Sequence, residues 1–470
     1  MLQELFFVLC GLVTVFGQNC PPYQTFYFEQ QLDHFNPQDL RTFQERYLVY
    51  DGAFNKSMNT IFFYAGNEGP VDAFYNNTGF MFDIAPEFGA LVLFAEHRYY
   101  GETHPFGDDF SAQAMEYLTM ENAIADYAVF MTAMKKKYDL PNARVVVFGG
   151  SYGGILAALC RIHYPAIFDM ALAASAPIPQ TLDSVNGTIF FRLVTNDYYN
   201  VDSSCPDIVR SGYSQMIDLA ANGNYKEISD TFSLCSDIKD ESDLVYLEEW
   251  ARNGLLTMAM VDYPYAADFL GKLPANPVNA SCELMLKYKD NPMKALAQGA
   301  GLYYNASYDN TLTCFNITAE FIECADQTGC GLGTDATAWD YQMCTEIVYS
   351  MVTNNVTDMF PPFVWSNKNL TEYCNKVYGV TPEPDAMQVW FPLALGNATS
   401  KIIFSNGLLD PWHGGGYLQS PGDPDSLPTV IIPSGAHHLD LRGKNPQDPP
   451  DVTAARLQEV KIFQQWLAEM

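Results

Sequence analysis

Short apolar runs alternate with helical patterns along the first third of the chain. Uninterrupted apolar runs predict strands that are buried on both faces, here Thr60–Tyr64, Ala90–Ala95, Arg144–Phe148 and Phe168–Ala174. Between the second and the third run, Thr119–Tyr138 carries apolar residues at helical spacing. Strands that alternate with helices form a mostly parallel sheet with helices on its faces. The pattern therefore predicts an α/β fold.

The pattern changes after about residue 180 and returns near the end of the chain. Residues 181–397 contain helix-like stretches such as Asp243–Met260 without regular alternation of strands and helices. Strand patterns return at Lys401–Ser405 and Thr429–Pro433, and an amphipathic helix is predicted from about 451 to 467. We therefore expect one α/β domain that is interrupted by a helical insertion.

The first residues have the pattern of an export signal. Leu5–Phe16 is an uncharged apolar run of 12 residues, too short for a membrane-spanning helix but of the length of a signal-peptide core. We expect a signal peptide at 1–17, an α/β domain built from 18–180 and 398–470, and a cap domain at 181–397. No membrane anchor is predicted in the mature chain.

Cysteines and glycosylation sequons support export. Eight cysteines fall in the insertion, and we expect them to form four disulfides whose pairing the sequence leaves open. Cys160 lies in an apolar helical pattern and is expected to be a buried thiol, whereas Cys20 is left undecided. Nine sequons predict a glycoprotein, with asparagines at Asn55, Asn76, Asn186, Asn279, Asn305, Asn316, Asn355, Asn369 and Asn397. The expected location is the secretory pathway, ending in the lysosome or outside the cell.

Composition and charge exclude several classes of function. The chain has 470 residues, of which 48% are hydrophobic and 17% charged, and this is a globular composition. Its net charge of −30 repels phosphate backbones, which excludes nucleic acids as partners. The cysteines form no CxxC pair and have no histidine cluster beside them, so neither a metal nor another cofactor is predicted. A homodimer is left open.

Residues 149–153 (GGSYG) match the G-x-S-x-G pattern of a nucleophile elbow. The motif follows the predicted strand Arg144–Phe148 and opens a helix, which is the setting that such an elbow requires. The flanking glycines permit the strained turn, and the start of the helix favours developing negative charge near Ser151. We expect Ser151 to be a nucleophile.

A serine nucleophile needs a base, and the end of the chain supplies the partners. Asp410 lies five residues past the predicted strand Lys401–Ser405, and the pair His437 and His438 follows the strand that ends at Pro433. Both positions lie at carboxyl ends of strands, the edge at which Ser151 emerges, and in the expected order Ser, Asp, His. Spacing alone does not distinguish His437 from His438.

Two further loops follow predicted strands at the same edge. An oxyanion hole needs the N–H of the residue after the nucleophile, Tyr152, and a second donor from an early loop. Residues 66–70, which include Asn67 and Glu68, form such a loop. Residues 96–101 (EHRYYG) are either a structural ion-pair network or a wall of the substrate pocket.

Six segments together resemble the family of prolyl-specific serine peptidases, which includes lysosomal prolyl carboxypeptidase and dipeptidyl peptidase II. They are Asn67–Gly69, Glu96–Gly101, Gly149–Gly154, Ala173–Pro177, Phe404–Trp412 and Gly435–Arg442. Further similarity to the dipeptidyl peptidase II branch lies in Asp262–Tyr265, Leu273–Val278, Trp339–Gln342 and Asn354–Phe360.

The resemblance implies an α/β-hydrolase fold with a helical, disulfide-containing cap, and a triad of Ser151, Asp410 and His437. It implies a serine exopeptidase that releases N-terminal X-Pro or X-Ala dipeptides from proline-containing peptides. The alternative with the same triad is a Pro-X carboxypeptidase; a lipase or a non-catalytic binding protein fits less well. Pro70 departs from the pattern, since the relatives have aspartate there, which affects the second oxyanion donor.

A dipeptidyl peptidase needs a fixed anion to hold the ammonium group of its substrate. Asp340, which follows Trp339 in the cap segment, is the first candidate for this anchor, and Glu68 is the second. We expect Trp339, Asp340 and Glu68 to bind substrate. The alternative is that Asp340 is a solvated or helix-capping residue.

Overall fold

The structure is a computed structural model that describes residues 20–391 and 395–470. The predicted signal peptide, residues 1–17, lies outside the described residues. In the described part of the chain, no helix combines the length and the apolar character that crossing a membrane requires.

An eight-stranded mixed sheet forms the centre of the fold, in the order β1-β2-β4-β3-β5-β6-β9-β10. The strands are β1 Gln24–Gln31, β2 Thr42–Tyr50, β3 Thr60–Ala65, β4 Leu91–Ala95, β5 Arg144–Gly150, β6 Met170–Ala174, β9 Ile402–Gly407 and β10 Thr429–Ile432. The first two are antiparallel to their neighbours, and the other six are parallel. All six parallel strands were predicted from their apolar runs, and this sheet with its helices confirms the α/β-hydrolase fold.

Helices cover both faces of the sheet. They are α1 Val71–Asn77, α2 Phe80–Phe88, α3 Met120–Lys137, α4 Tyr152–His163, α5 Ile178–Thr181 and, after the insertion, α17 Pro450–Ala468. The sequence specifies the ends of α3 clearly. Its N-cap, Thr119, accepts a hydrogen bond from the N–H of Asn122, and three lysines in its last turn interact favourably with the C-terminal end of the helix dipole.

The insertion between β6 and β9 is helical, as predicted. It contains α6 Ile189–Val201, α7 Cys205–Ala221, α8 Tyr225–Phe232, α9 Glu241–Met260, α10 Pro277–Lys287, α11 Pro292–Ser307, α12 Ile317–Glu320, α13 Gly333–Met343, α14 Asn367–Val377, α15 Ala386–Trp390 and α16 Leu395–Ala398. A small hairpin, β7 Ala267–Asp268 with β8 Lys272–Leu273, is the one β element of this segment in the described residues.

Four disulfides join parts of the insertion, which confirms the interpretation of its eight cysteines. The pairs are Cys205–Cys282, Cys235–Cys314, Cys324–Cys330 and Cys344–Cys374. The first links α7 to α10, and the last links the end of α13 to α14. The third closes a short loop of sequence separation 6. Cys160 is a buried thiol inside α4, as expected.

Candidate active site

Ser151 lies in the tight turn between β5 and α4. Its φ of 57° and ψ of −127° belong to a region that residues with side chains rarely adopt. Neighbouring glycines make the turn sterically feasible: a Cβ on Gly149 would lie 1.9 Å from the Gly153 carbonyl oxygen, and one on Gly153 would lie 2.2 Å from Asn67 Oδ1. The strand–turn–helix setting is therefore that of a nucleophile elbow.

Asp410 and His437 form a hydrogen-bonded pair at the same edge of the sheet. Asp410 follows β9, is fully buried, and accepts a hydrogen bond from the Trp412 N–H. His437 follows β10 and its Nδ1 lies 2.7 Å from Asp410 Oδ2. Because a carboxylate accepts hydrogen bonds, this contact places the proton on Nδ1 and leaves Nε2 as the acceptor. His437 and Ser151 line the same cleft.

His438 has different surroundings from its neighbour. Among the described residues its Nδ1 has no hydrogen-bond partner, and its ring packs against Gly150, where a Cβ would lie 2.8 Å from the ring. Burial and the nearby His437 and Arg442 hold the pKa of His438 well below its ordinary value. No carboxylate orients this ring, so the geometry favours His437 as the base.

A cleft of about 550 Å³ lies between the sheet edge and the insertion. Ser151, Tyr152 and His437 line it from the α/β domain. The insertion contributes an aromatic and apolar wall of Phe269, Leu270, Phe321, Trp339, Ile347 and Tyr349. Trp412 adds an aromatic ring two residues after Asp410, and this ring packs on Tyr349 with centroids 6.0 Å apart. The cleft is therefore built from both parts of the chain.

Four carboxyl groups line this cleft, and no lysine or arginine does so among the described residues. Three of the four have no buried oxygen that lacks a partner in the described structure. Asp326 accepts from Thr328, Trp339 and Tyr349. Asp335 accepts from the N–H of Gly101, and Glu320 accepts from Trp250 Nε1 and the N–H of Asn316. The cleft is therefore strongly acidic, but most of its acceptor capacity is already occupied.

Glu68 is the exception among the four carboxyl groups. Its Oε2 atom is buried without a hydrogen-bond partner in the described structure. Burial raises the pKa of Glu68 to about 7, although hydrogen bonds from its own N–H and from Asn67 oppose the rise, as does the nearby His437. Glu68 thus has one buried oxygen, Oε2, that no group of the described structure occupies, close to the candidate base.

Asp340, the first candidate for the substrate anchor, does not line the cleft. Its carboxylate lies on α13 and accepts hydrogen bonds from the Ala325 N–H at 2.7 Å and from the hydroxyls of Tyr373 and Tyr378, each at 2.8 Å. The bond from Ala325 holds the 324–330 loop against α13, and the two tyrosines hold α14 and its C-terminal end there. Trp339, the preceding residue, does line the cleft, and its Nε1 donates to Asp326 at 2.8 Å.

Asp326 is a cleft residue that the sequence analysis did not identify. It lies inside the loop closed by the Cys324–Cys330 disulfide and is 5% exposed. The signal in the sequence was an acidic residue between two cysteines only six positions apart, although the sequence leaves their pairing open. Trp412 and Tyr349 were missed as cleft residues for a different reason, since aromatic residues are common in buried cores.

The predicted oxyanion groups border the cleft. Tyr152 is the first residue of α4, so its backbone N–H has no acceptor within the helix. Asn67 and Glu68 line the cleft beside Ser151, and Asn67 Nδ2 donates to the Gly150 carbonyl at 2.6 Å. Pro70 lies at the start of α1 and also lines the cleft, but as proline it has no N–H to donate.

Residues 96–101 do not line the cleft and form a buried polar network behind it. Glu96 pairs with Arg46 at 2.8 Å, and Arg98 pairs with Asp126 at 2.7 Å. Of the two alternatives given by the sequence, the geometry supports the structural one for these two residues. His97 contacts the hydroxyl of Tyr152.

The elbow serine and the carboxylate-bound histidine at one sheet edge are the features of a serine hydrolase with an α/β-hydrolase fold. Comparison with known proteins identifies the family. The family model described as serine carboxypeptidase S28 matches residues 30–459. The chain belongs to this family and is a serine-type hydrolase, and the predicted relationship to prolyl-specific serine peptidases is confirmed.

Several relatives match along nearly the whole chain. Lysosomal Pro-X carboxypeptidase of Bos taurus is 40% identical over 461 residues, which cover 95% of this chain and 88% of the relative. The Homo sapiens protein of the same name is 39% identical over 458 residues, covering 95% and 89%. Prolyl carboxy peptidase like protein 5 of Caenorhabditis elegans is 33% identical over 469 residues, covering 95% and 90%.

Proposed function

We propose that this protein is a serine exopeptidase that removes X-Pro or X-Ala dipeptides from the N-terminus of peptides. The observation that carries the proposal is the set of charged groups in the cleft. Four carboxyl groups line the cleft together with Ser151, and no lysine or arginine does so in the described structure. Such a cleft attracts the ammonium group of a free N-terminus and repels a C-terminal carboxylate.

The proposed reaction is acyl transfer through a triad of Ser151, His437 and Asp410. Ser151 Oγ attacks the carbonyl carbon while His437 Nε2 accepts its proton, and the imidazolium then donates that proton to the leaving amine. Asp410 holds the proton on Nδ1 and stabilises the imidazolium. Water then hydrolyses the acyl-enzyme with His437 again as the base. The N–H of Tyr152 is the first proposed oxyanion donor, and the loop of Asn67 and Glu68 provides the second.

Glu68 is the group that we assign to the substrate ammonium. Among the four cleft carboxyl groups it alone has a buried oxygen without a partner in the described structure, and it lies close enough to His437 for that residue to lower its pKa. Asp326 adds negative charge on the insertion side, and Trp339 positions it. Asp340 stays in the proposal as the residue that supports the Asp326 loop.

The aromatic wall suits proline at the position before the scissile bond. Trp412 and Tyr349 provide flat apolar surfaces close to the triad, and a proline ring buries apolar area there without losing rotamer freedom. Alanine is small enough to occupy the same space. We therefore expect proline-containing peptides to be the substrates.

A Pro-X carboxypeptidase is the second candidate, because two of the relatives described above carry that name. A carboxypeptidase requires a group that binds the terminal carboxylate of its substrate. Glu68 could serve only while protonated, since its O–H would then donate to the carboxylate. The two candidates therefore require opposite charge states of one residue. The names of these relatives also support a lysosomal or secreted location for this protein, which we expect to be glycosylated.

A substrate panel separates the two candidates. We expect cleavage of X-Pro and X-Ala amides with a free amino group and poor cleavage of the same amides after N-acetylation. N-acetylated peptides ending in Pro-X with a free carboxylate test the carboxypeptidase. Faster cleavage of these peptides than of free X-Pro amides would overturn the dipeptidyl proposal. The Ser151→Ala variant controls for a contaminating peptidase.

A further inference from the structure

A buried chain of hydrogen bonds lies directly behind the nucleophile turn. The Tyr100 hydroxyl donates to Gln342 Oε1 at 2.5 Å, Gln342 Nε2 donates to the Tyr152 hydroxyl at 2.9 Å, and this hydroxyl lies 3.1 Å from His97 Nε2. All four residues are at most 2% exposed. Water therefore does not compete for these bonds, and losing one of them would leave an unsatisfied buried group.

The proton positions in this chain follow from its last member. His97 Nδ1 lies 2.7 Å from the carbonyl oxygen of Arg98, which can only accept, so Nδ1 carries a proton. Burial lowers the pKa of His97 to about 4, so the ring is neutral at pH 5 and above. Its Nε2 is then an acceptor, and the Tyr152 hydroxyl donates to it. All donors thus point in one direction, from Tyr100 to the Arg98 carbonyl.

The chain of bonds connects three separate segments of the protein. His97 lies in the loop after β4, Tyr152 is the first residue of α4, and Gln342 is on α13 of the insertion. The same helix carries Trp339, whose ring packs edge-on against the Tyr152 ring with centroids 5.2 Å apart and donates to Asp326 in the cleft. One helix of the insertion therefore contacts both the residue after the nucleophile and the acidic wall.

Tyr152 is sensitive to such contacts because of its place in the turn. It follows Ser151, whose backbone has a strained positive φ of 57°, and strained conformations persist only where the surroundings hold them. The backbone N–H of Tyr152 must lie about 3 Å from the oxyanion to stabilise it. A small rotation of this residue would move that N–H away.

We propose that the side chains of His97, Tyr152 and Gln342 form a latch that fixes the backbone N–H of Tyr152 for oxyanion binding and couples it to the insertion. The inference rests on the proposed roles of Ser151 and of the Tyr152 N–H. His97 and Gln342 are positioning residues, since neither lines the cleft. The latch predicts that the insertion affects the chemical step as well as substrate selection.

Tyr152→Phe tests the latch, because it removes one hydroxyl and keeps the ring that packs on Trp339. The probe is an aminoacyl-prolinal, a dipeptide whose C-terminal proline carries an aldehyde in place of the carboxyl group. Ser151 Oγ bonds to its aldehyde carbon, the serine proton moves to His437, and the C=O π pair becomes the lone pair of an oxyanion. We expect kcat on X-Pro amides and the affinity for the aldehyde each to fall about 10–100-fold, less than the 10²–10³-fold loss of a whole oxyanion donor. KM and inhibition by the product dipeptide are expected to change less than threefold, roughly the scatter of such comparisons.

Tyr99→Phe is the matched control. It also removes a buried tyrosine hydroxyl, which donates to the Ala114 carbonyl at 2.5 Å, but it has no bond to Tyr152. We expect Tyr99→Phe to keep the aldehyde affinity of the unaltered enzyme. Equal losses of aldehyde affinity in the two variants, or an unchanged aldehyde affinity in Tyr152→Phe, would overturn the latch.

Gln342→Met provides a second measurement that does not depend on the stability of Tyr152→Phe. It removes the donor to the hydroxyl, so it should weaken aldehyde binding in the same direction, and the double variant should be no worse than Tyr152→Phe. Additive losses would contradict a common latch. Proline precedes the scissile bond in both candidate activities, so the aldehyde remains a valid probe if the protein proves to be a carboxypeptidase. Failure of the dipeptidyl proposal and failure of the latch are therefore distinguishable.

Discussion

Replacing Glu68 by glutamine distinguishes an ammonium-binding cleft from a carboxylate-binding one through the sign of a pH effect. Burial raises the pKa of Glu68 from an ordinary 4.5 to about 7. Well below pH 7 the unaltered enzyme and Glu68→Gln therefore both present a neutral side chain. Above pH 7 only the unaltered enzyme presents a charge. The ratio of the two kcat/KM values isolates this charge, because the two enzymes differ only at residue 68.

The magnitude follows from the contact that is lost. A hydrogen bond to a charged group contributes about 1.5–3 kcal/mol, which corresponds to roughly 10–200-fold in kcat/KM. For X-Pro amides with a free amine, we expect the ratio of unaltered enzyme to Glu68→Gln to be near 1 at pH 5 and to rise to this range by pH 7.5. The substrate ammonium is still mostly protonated there, since α-amino groups have a pKa of about 7.7–8.0.

If the protein is a carboxypeptidase, the ratio of the two kcat/KM values should change with pH in the opposite direction. An ionised Glu68 repels a substrate carboxylate, so on N-acetylated Pro-X peptides the same ratio should fall below 1 as the pH rises through 7. The assay is the release of a fluorescent amine or amino acid between pH 4.5 and 7.5. Glu320→Gln is the matched control, because Glu320 lines the same cleft but its carboxylate already accepts from Trp250 and Asn316. A ratio independent of pH on both substrate types would refute the assignment of Glu68.

Three further predictions concern the triad, the glycans and stability. Ser151→Ala and His437→Ala should each lower kcat at least ~10³-fold, whereas His438→Ala should cost much less, as measured on X-Pro amides; the reverse order of the histidines would contradict the triad. Mass spectrometry after glycosidase treatment should find Asn305 unmodified, because it is half-buried and accepts a backbone N–H, while the other eight sequon asparagines are exposed. Burial raises the pKa of Glu346 to about 7, so its contribution to stability is complete below pH 4.5 and is lost as the pH rises through 7. Urea unfolding should show that Glu346→Gln gains up to about 3 kcal/mol relative to the unaltered protein between pH 4.5 and 8; an unchanged difference would contradict the burial of an ionised carboxylate.

The parallel strands were predictable because their sequences are apolar throughout. Both faces of β3, β4 and β6 are covered, so nearly every residue is buried and the run carries its own signal. The antiparallel strands Gln24–Gln31 and Thr42–Tyr50 were not predicted. β1 is the edge strand and has a single buried position, so it carries little apolar signal. β2 lies between β1 and β4 and is mostly buried, but the buried Glu45 and Arg46 interrupt its apolar run.

The meeting of Ser151, Asp410 and His437 at one sheet edge was predictable for a related reason. Parallel strands bring their carboxyl ends to one edge, so loops that follow β5, β9 and β10 must meet there whatever their distance in sequence. The same argument could not predict that Asp340 lies away from the cleft, because Asp340 is on a helix of the insertion and not at the end of a strand. Adjacent residues on a helix point about 100° apart, so Trp339 and Asp340 cannot both face the cleft. Only the packing of α13 against the α/β domain determines which of them does.

The two parts of the chain contribute differently to the site. Ser151, Asp410 and His437 all come from loops of the central sheet, whereas Asp326, Trp339 and the aromatic wall come from the insertion. Changes in the insertion outside α13 can therefore alter the acidic and aromatic wall while Ser151, Asp410 and His437 keep their places at the sheet edge. Glu68 is the acidic cleft residue that the α/β domain itself supplies, immediately after the strand that neighbours the elbow strand. Its pKa responds to charges on both sides of the cleft, since His437 lowers it and Asp326 raises it.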